Sequence, residues 1–223
     1  MIGKSMSNIG WEIENQYEIL SQMISDVADR YHDEAIALEK KVDETYNKYA
    51  NSDYNTFSNE TQGLDKVLDK PYSLCYVARK ILFCAIFSYF ESMLHGISDF
   101  YNVTKEKKRH MDKLLAVICD EFGNRFSSEL IYDEEDWHTI YEKYRPLRNY
   151  YMHGIIYDEM SLVIAFAQSE ASINDKSNGH YEILDDDFLR TALSKINGFL
   201  VNIEEAYDNK AREQTQSGGQ ELK

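Results

Sequence analysis

Residues 144–154 read Tyr-Arg-Pro-Leu-Arg-Asn-Tyr-Tyr-Met-His-Gly and place a guanidinium, a carboxamide and an imidazole on one short segment. On a helix, Asn149 and His153 are four residues apart and share one face. Arg148 lies about 140° from His153 around a helix of 3.6 residues per turn, and its long side chain can still reach the same side. Gly154 suits a left-handed helix end. We therefore expect the three side chains to converge on one small anionic or polar target.

The sequence before this segment predicts long helices. From Trp11 to about Ala50 there is no glycine or proline, and apolar residues recur every three or four positions as one stripe. The polar stretch Asn51–Gly63 predicts a surface loop. Pro71 then begins a second strong helix, roughly Tyr72–Tyr101, whose apolar surface is wide enough for a central bundle helix.

Two further helices are expected between this central helix and residue 154. The basic segment Lys105–Lys113 leads into a third helix, and a break follows at Gly123. Asp133–Asp136 then supplies an acidic start to a fourth helix, which complements its dipole. Pro146 should kink or restart that helix at the segment quoted above.

The pattern changes after Gly154. Ser161–Ala167 is apolar and partly β-branched, and His180–Leu184 alternates, which together predict a β-hairpin with a long loop. A helix over 159–171 is the alternative. Asp185–Asp187 should cap a final amphipathic helix.

The expected architecture is all-α, an antiparallel bundle of four to five helices with a small β-hairpin before the last one. A chain of 223 residues with 43% hydrophobic residues can bury one sizeable core, so we expect a single domain over residues 1–211. The first ten residues should be frayed, and residues 212–223 should form a disordered tail. No run of 18 apolar residues and no secretory signal is visible, which favours a cytoplasmic protein with no membrane contact. Three cysteines without C-x-x-C spacing indicate free thiols.

Charge argues against indiscriminate nucleic-acid binding. The formal net charge is −15, whereas phosphate binders normally carry a basic footprint. One local segment departs from this balance, because four lysines and one arginine fall between residues 105 and 113. A solvated helix start and a phosphate-contacting rim both explain such a run.

The segment Arg-Asn-x-x-x-His-Gly, late in a small and mostly helical chain, resembles the R-x4-6-H motif of HEPN domains. That resemblance implies a four-to-five-helix bundle and, in many members, a metal-independent ribonuclease of toxin–antitoxin or phage-defence systems. It implies catalytic roles for Arg148, Asn149 and His153. It also implies that an acidic or polar residue of the preceding long helix contacts the Arg/His pair. Glu91 is our candidate for that residue, and a solvated helix position is the other interpretation.

The implied chemistry is cleavage of RNA by its own 2′-hydroxyl. His153 would act as base or acid, Arg148 would hold the non-bridging oxygens, and Asn149 would orient His153 or the phosphate. The predicted RNA-binding residues are Lys105, Lys107, Lys108, Arg109, Lys113 and Arg145.

We expect no metal and no cofactor. The histidines show no zinc-ligand spacing, and the adjacent carboxylates of Asp133–Asp136 suit helix capping better than metal binding. The expected partners are a second copy of the chain, an RNA substrate, and an antitoxin or defence-system protein. The alternative function is a non-catalytic HEPN-like module that binds a partner protein or a nucleotidyltransferase, with Arg148 and His153 serving structure.

Overall fold

Helices make up most of the protein, as expected from the sequence. The computed structural model describes residues 7–103, 110–130, 132–154, 159–176 and 180–218. In chain order the elements are α1 (Asn8–Tyr49), α2 (Tyr54–Thr61), α3 (Leu64–Phe100), α4 (Met111–Phe126), α5 (Glu134–His138), a π-helix (Thr139–Tyr144), α6 (Arg145–His153), α7 (Met160–Ser169), β1 (Ile173–Lys176), β2 (His180–Ile183) and α8 (Asp186–Gly218).

Helix α1 begins earlier than the sequence predicted. Ser7 caps it by accepting a hydrogen bond from the backbone of Gly10 at 2.9 Å. The Ser7 hydroxyl also donates to buried Glu204 of α8, which fixes the start of α1 on the last helix. Fraying of the first ten residues is therefore wrong from Ser7 onward, and residues 1–6 lie outside the described part.

The connection from α1 to α3 is more helical than its composition suggests. The predicted loop Asn51–Gly63 contains α2, whose N-cap Asp53 accepts hydrogen bonds from Asn55 and Thr56. Gly63 has a φ of 85° and turns the chain directly into α3. Pro71 lies inside α3 rather than at its start, so the prediction of a helix beginning at Pro71 is wrong.

Helix α3 is the centre of the bundle. It packs against α1, α4, α6 and α8, and its residues between Leu82 and Ile97 supply much of the core. By length and composition alone, Asp69–Phe100 is also long and apolar enough to cross a membrane, although 39% of the most apolar window is buried inside the structure. The central helix of a bundle passes the same test.

The region between α6 and α8 corrects one prediction. Ser161–Ala167 belongs to α7 and not to a strand, because Val163, Phe166 and Ala167 are buried at helical spacing. The helical alternative for this segment is therefore the correct one. The β-hairpin before the last helix is confirmed, but its first strand is β1, which pairs antiparallel with β2 from Ile173–Ile183 to Lys176–His180.

Helix α8 closes the core against α1 and α3. Asp185 accepts a hydrogen bond from the backbone of Phe188 at 2.9 Å, as expected for an N-cap. Near the other end, the hydroxyl of fully buried Tyr207 donates to Ile118 of α4 at 2.6 Å. The helix continues to Gly218, so a disordered tail is wrong for residues 212–218, and residues 219–223 lie outside the description.

Candidate functional site

Helix α6 is held in place by its own buried residues. The preceding π-helix ends with the backbone N–H of Arg145 donating to Ile140. Pro146 and Leu147 are buried in the first turn, where a proline needs no hydrogen-bond partner. At the other end the N–H of Gly154 donates to Tyr150 at 2.9 Å, and Gly154 has φ 77° and ψ −151°. The segment is therefore a rigid two-turn helix with a glycine-dependent stop.

Arg148 points back onto the central helix. Its Nη1 donates to Asn149 Oδ1 at 3.0 Å, and its Nη2 lies 3.5 Å from Glu91 Oε2. The guanidinium carbon is 5.9 Å from the centre of the Phe87 ring. The Arg148 side chain is 18% exposed and that of Glu91 is 42% exposed. Contact between Glu91 and the arginine, which the HEPN resemblance implied, is present in the structure.

Asn149 and Arg145 form a second network that the sequence did not predict. Asn149 Nδ2 donates to Glu159 Oε2 at 3.0 Å, and Arg145 Nη2 lies 3.0 Å from Glu159 Oε1. The guanidinium of Arg145 also stacks 4.2 Å from the Tyr141 ring centre. Glu159 thus ties α6 to the start of α7. A lone carboxylate ahead of an apolar run has no spacing that would have identified it.

His153 stands apart from these contacts. It is the exposed last residue of α6, and no hydrogen bond or ion pair joins it to another residue in the described ranges. Both ends of the Asn149 amide are used by Arg148 and Glu159. Asn149 therefore does not contact His153 in this arrangement, and of its two expected roles, orienting His153 or the phosphate, the second stays a prediction. Within one chain, Arg148 is held by α3 while His153 faces outward.

The predicted RNA-binding residues are only partly placed. Lys105, Lys107, Lys108 and Arg109 lie outside the described residues. Lys113 is exposed in the first turn of α4 and forms no ion pair with any residue that the structure describes. Arg145 is half-buried and already paired with Glu159. The two arginines of α6 thus each have a carboxylate partner.

Three polar atoms near α6 are buried without a hydrogen-bond partner among the described residues: Arg145 Nε, Arg148 Nε and the Tyr151 hydroxyl. Burial raises the pKa of Tyr151 well above its ordinary value and keeps the phenol neutral. Burial also raises the pKa of the nearby Cys84 thiol, against which the charge of Arg148 acts. Burying a donor without a hydrogen-bond partner costs free energy, so these three atoms lower the stability of the region around α6.

The acidic run before α5 serves the backbone. Asp133 is the N-cap and accepts a hydrogen bond from the N–H of Asp136 at 2.9 Å, while Asp136 pairs with Lys195. Capping is therefore confirmed for this run. Over the ranges that the structure describes, no group of three or more His, Cys, Asp or Glu residues could hold a metal ion.

A cavity of about 510 Å³ lies between α1 and α3 and is lined by His32, Glu39, Tyr72, Cys75 and Arg79 among others. The motif residues of α6 do not line it. Arg79 is occupied there by Asp186 and by the carbonyl of Leu184. The cavity is therefore separate from the candidate site.

Comparison of the chain with family models, with curated proteins and with solved structures gives no match in any of the three.

Proposed function

We propose that this protein is a metal-independent endoribonuclease of the HEPN type, acting as a toxin or phage-defence effector. The observation that carries the proposal is the arrangement on α6. Arg148 is fixed beside Asn149 and Glu91, and one exposed histidine follows on the same short helix. This combination offers a guanidinium that can bind an anion and an imidazole that can accept or donate a proton.

The reaction uses the 2′-hydroxyl of RNA as nucleophile. His153 takes the proton of that hydroxyl or gives one to the departing 5′-oxygen. The O–P bond to the 2′-oxygen forms as the bond to the 5′-oxygen breaks, which yields a 2′,3′-cyclic phosphate and a 5′-hydroxyl. Arg148 stabilises the charge that develops on the non-bridging oxygens. Asn149 holds Arg148 through its amide oxygen.

Glu91 restrains Arg148 in the absence of substrate. The 3.5 Å separation and the 42% exposure of the Glu91 side chain describe a weak pair. A phosphate can therefore replace Glu91 as the partner of Arg148.

A second copy of the chain supplies the second acid–base group that one copy lacks. Both arginines of α6 are neutralised by carboxylates, and His153 does not contact Arg148 in the single chain. In a homodimer two α6 helices border one cleft, so that one His153 serves as base and the other as acid. An antitoxin or defence-system partner would act by blocking that cleft.

The test compares wild type with His153→Ala and Arg148→Ala, scored by growth arrest on expression and by cleavage of RNA by purified protein with EDTA present. His138→Ala and Arg190→Ala are matched controls, because both residues are exposed and lie outside α6. We expect wild type and the controls to cleave, and the two α6 variants to be inactive while retaining wild-type circular dichroism.

Failure of the purified wild type to cleave RNA would overturn the proposal of a nuclease. Loss of cleavage in EDTA would overturn the metal-independent mechanism. Products ending in a 3′-hydroxyl would exclude attack by the 2′-hydroxyl.

The second candidate is a non-catalytic helical module that binds a partner protein. The network of Arg145, Asn149 and Glu159 favours it, because these polar residues fasten α6 to α7. On this alternative His153→Ala changes neither growth nor RNA, and Glu159→Gln loosens the contact between the two helices. The growth and RNA-cleavage assays of wild type beside His153→Ala therefore separate the two candidates.

A further inference from the structure

The outward side of α3 is unusually apolar for a helix surface. At about 100° per residue, one stripe opposite the core includes Val67, Lys70, Leu74, Val77, Ile81, Ala85, Ser88 and Ser92. The large members are exposed, with Val77 at 52% and Ile81 at 64%. Lys70 is the one charged residue in the stripe. A surface helix normally carries polar residues on this side, so the stripe is suited to contact another surface.

The spacing of the stripe matches a helical partner. Val67, Leu74, Ile81 and Ser88 recur every seven residues, with Lys70, Val77 and Ala85 between them. A repeat of seven keeps one side of a helix facing a second helix that runs alongside it at a small crossing angle.

The size of the residues changes along the stripe. Its first half carries Val67, Leu74, Val77 and Ile81, whereas its second half carries Ala85, Ser88 and Ser92. Two such stripes fill space best when they run antiparallel, because the large half of each then faces the small half of the other. The gradient therefore favours a second copy of the same helix, related by a two-fold axis.

We propose that the outer stripe of α3 binds α3 of a second copy in antiparallel orientation, with the two-fold axis near Ile81. In this register Leu74 lies opposite the partner's Ser88, and Val77 lies opposite the partner's Ala85. Lys70 lies opposite the partner's Ser92, one residue from the partner's Glu91.

Charge supports the same register. Lys70 is exposed and has no ion pair within the described part of the chain, and Glu91 is held only by its long contact with Arg148. The register brings the partner's Lys70 beside Glu91. The ammonium attracts the Glu91 carboxylate away from Arg148 and leaves the guanidinium available for a phosphate. The partner's Lys70 is thus a positioning residue for the candidate site, a role that rests on the proposed function.

The chain crosses α3 near Phe83, because the Phe83 ring centre lies 5.9 Å from that of Tyr144 and 6.1 Å from that of Tyr151. Lys80 Nζ also lies 5.5 Å from the Tyr151 ring centre. The end of α6 that carries His153 is therefore at the level of Ile81, where the two-fold axis passes. A two-fold perpendicular to two antiparallel helices keeps both α6 helices on the same side. The two copies of His153 therefore lie on the same side of the dimer.

The first experiment measures association of the full chain by analytical ultracentrifugation without RNA. Ile81→Glu should raise the dimer dissociation constant roughly tenfold or more, because it places a charge at the centre of the contact. Ile19→Glu is the matched control, since Ile19 is 45% exposed on α1 and is not on the stripe. Circular dichroism checks that both variants fold.

The second experiment tests register and charge. Mixed Leu74→Cys and Ser88→Cys chains should form an interchain disulfide on oxidation, whereas Leu74→Cys alone should give no more than wild type. Lys70→Glu and Glu91→Lys should each weaken association by roughly two- to fivefold, and the double variant should restore it. A structural role of either residue alone predicts no such rescue.

A wild type that stays monomeric at micromolar concentration overturns the proposal. So does a dimer that Ile81→Glu leaves intact, or self-crosslinking of Leu74→Cys, which indicates parallel helices. Flotation of monomeric wild type with phospholipid vesicles, lost in Ile81→Glu, would assign the stripe to a membrane instead. A dimer that does not cleave RNA supports the contact between the two α3 helices and contradicts the proposed nuclease. A monomer with full RNA cleavage supports the nuclease and contradicts the α3 contact.

Discussion

Glu91 Oε2 lies 3.5 Å from Arg148 Nη2, and this long ion pair joins the last third of the central helix to the middle of α6. Because the Glu91 side chain is 42% exposed, water competes for the carboxylate and the pair contributes about 1 kcal/mol or less to stability. The carboxylate therefore limits the charge of Arg148 without being needed to hold the fold together.

Glu91→Gln should leave the fold unchanged and strengthen RNA binding. The amide still accepts a hydrogen bond from Arg148 but no longer competes with a phosphate for its charge. We expect the free energy of unfolding to change by less than about 1 kcal/mol. At protein concentrations below the dimer dissociation constant, affinity for an uncleavable 2′-O-methyl RNA should rise roughly two- to fivefold, measured by fluorescence anisotropy. Glu205→Gln, an exposed change on α8, is the control. Weaker binding of Glu91→Gln would show that Glu91 positions Arg148 for RNA instead.

Gly154→Ala should destabilise the protein by about 1–3 kcal/mol, because φ 77° and ψ −151° is a region that side chains other than glycine rarely adopt. Open space surrounds the position of a new Cβ, so the cost is conformational and not steric. Gly63 provides the comparison, since its φ of 85° and ψ of 0° are left-handed helical. Gly63→Asn should recover stability relative to Gly63→Ala, because asparagine tolerates that region. Gly154→Asn should recover none, and equal recovery at both positions in urea unfolding would contradict this difference.

Two tyrosines whose hydroxyls are buried, Tyr207 and Tyr151, should respond differently to loss of the hydroxyl. Tyr207 donates to the carbonyl of Ile118 at 2.6 Å, so Tyr207→Phe should lower the free energy of unfolding by about 1 kcal/mol. The Tyr151 hydroxyl is buried and has no partner among the described residues, so Tyr151→Phe should be neutral or stabilising. Urea unfolding of both variants measures the difference. Equal destabilisation would show that Tyr151 has a partner in solution.

Alkaline pH should unfold the protein. Burial raises the pKa of Tyr89, Tyr101, Tyr144, Tyr151 and Tyr207 above the ordinary value of 10.0, and raises that of Cys119 from 9.0 to about 11. These groups keep their protons in the folded state when the unfolded chain has lost them. The contribution of Cys119 is therefore complete below pH 9.0 and is lost as pH rises to about 11, whereas that of the tyrosines is complete below pH 10.0 and is lost above it.

Each such group lowers the free energy of unfolding by about 1.4 kcal/mol per pH unit. Urea unfolding at increasing pH measures the decline, and tyrosinate absorbance should rise together with loss of helical circular dichroism. Titration of all tyrosines near pH 10 in a helical protein would contradict this expectation.

The sequence predicted the helices whose apolar residues recur without interruption, such as α1 and α8. The prediction failed where the composition of a short segment and its packing in the fold favour different structures. Ser161–Ala167 is β-branched enough to predict a strand, yet burial of Val163, Phe166 and Ala167 makes it a helix. Pro71 was expected to start a helix, and the packed hairpin of α1 and α3 instead accommodates it within one.

The candidate site was predictable in composition but not in connectivity. The contact between Arg148 and Glu91 was expected from the resemblance of the motif and is present. The link from Asn149 to Glu159 depends on the path of the chain between α6 and α7, and nothing in residue spacing encodes it. The separation of His153 from Arg148 reflects the fixed direction of Arg148 toward Phe87, which only packing determines.

The π-helix Thr139–Tyr144 determines which side of α6 faces the core. Its hydrogen bonds join residues five apart instead of four. It therefore contains one residue more than an α-helical segment that makes the same rotation about the helix axis. Winding the same residues as an uninterrupted α-helix would rotate α6 by about 100° relative to α5. Leu147 would then leave the core, and Arg148 would turn away from Glu91. The direction in which Arg148 points thus depends on one extra residue in the π-helix that precedes α6.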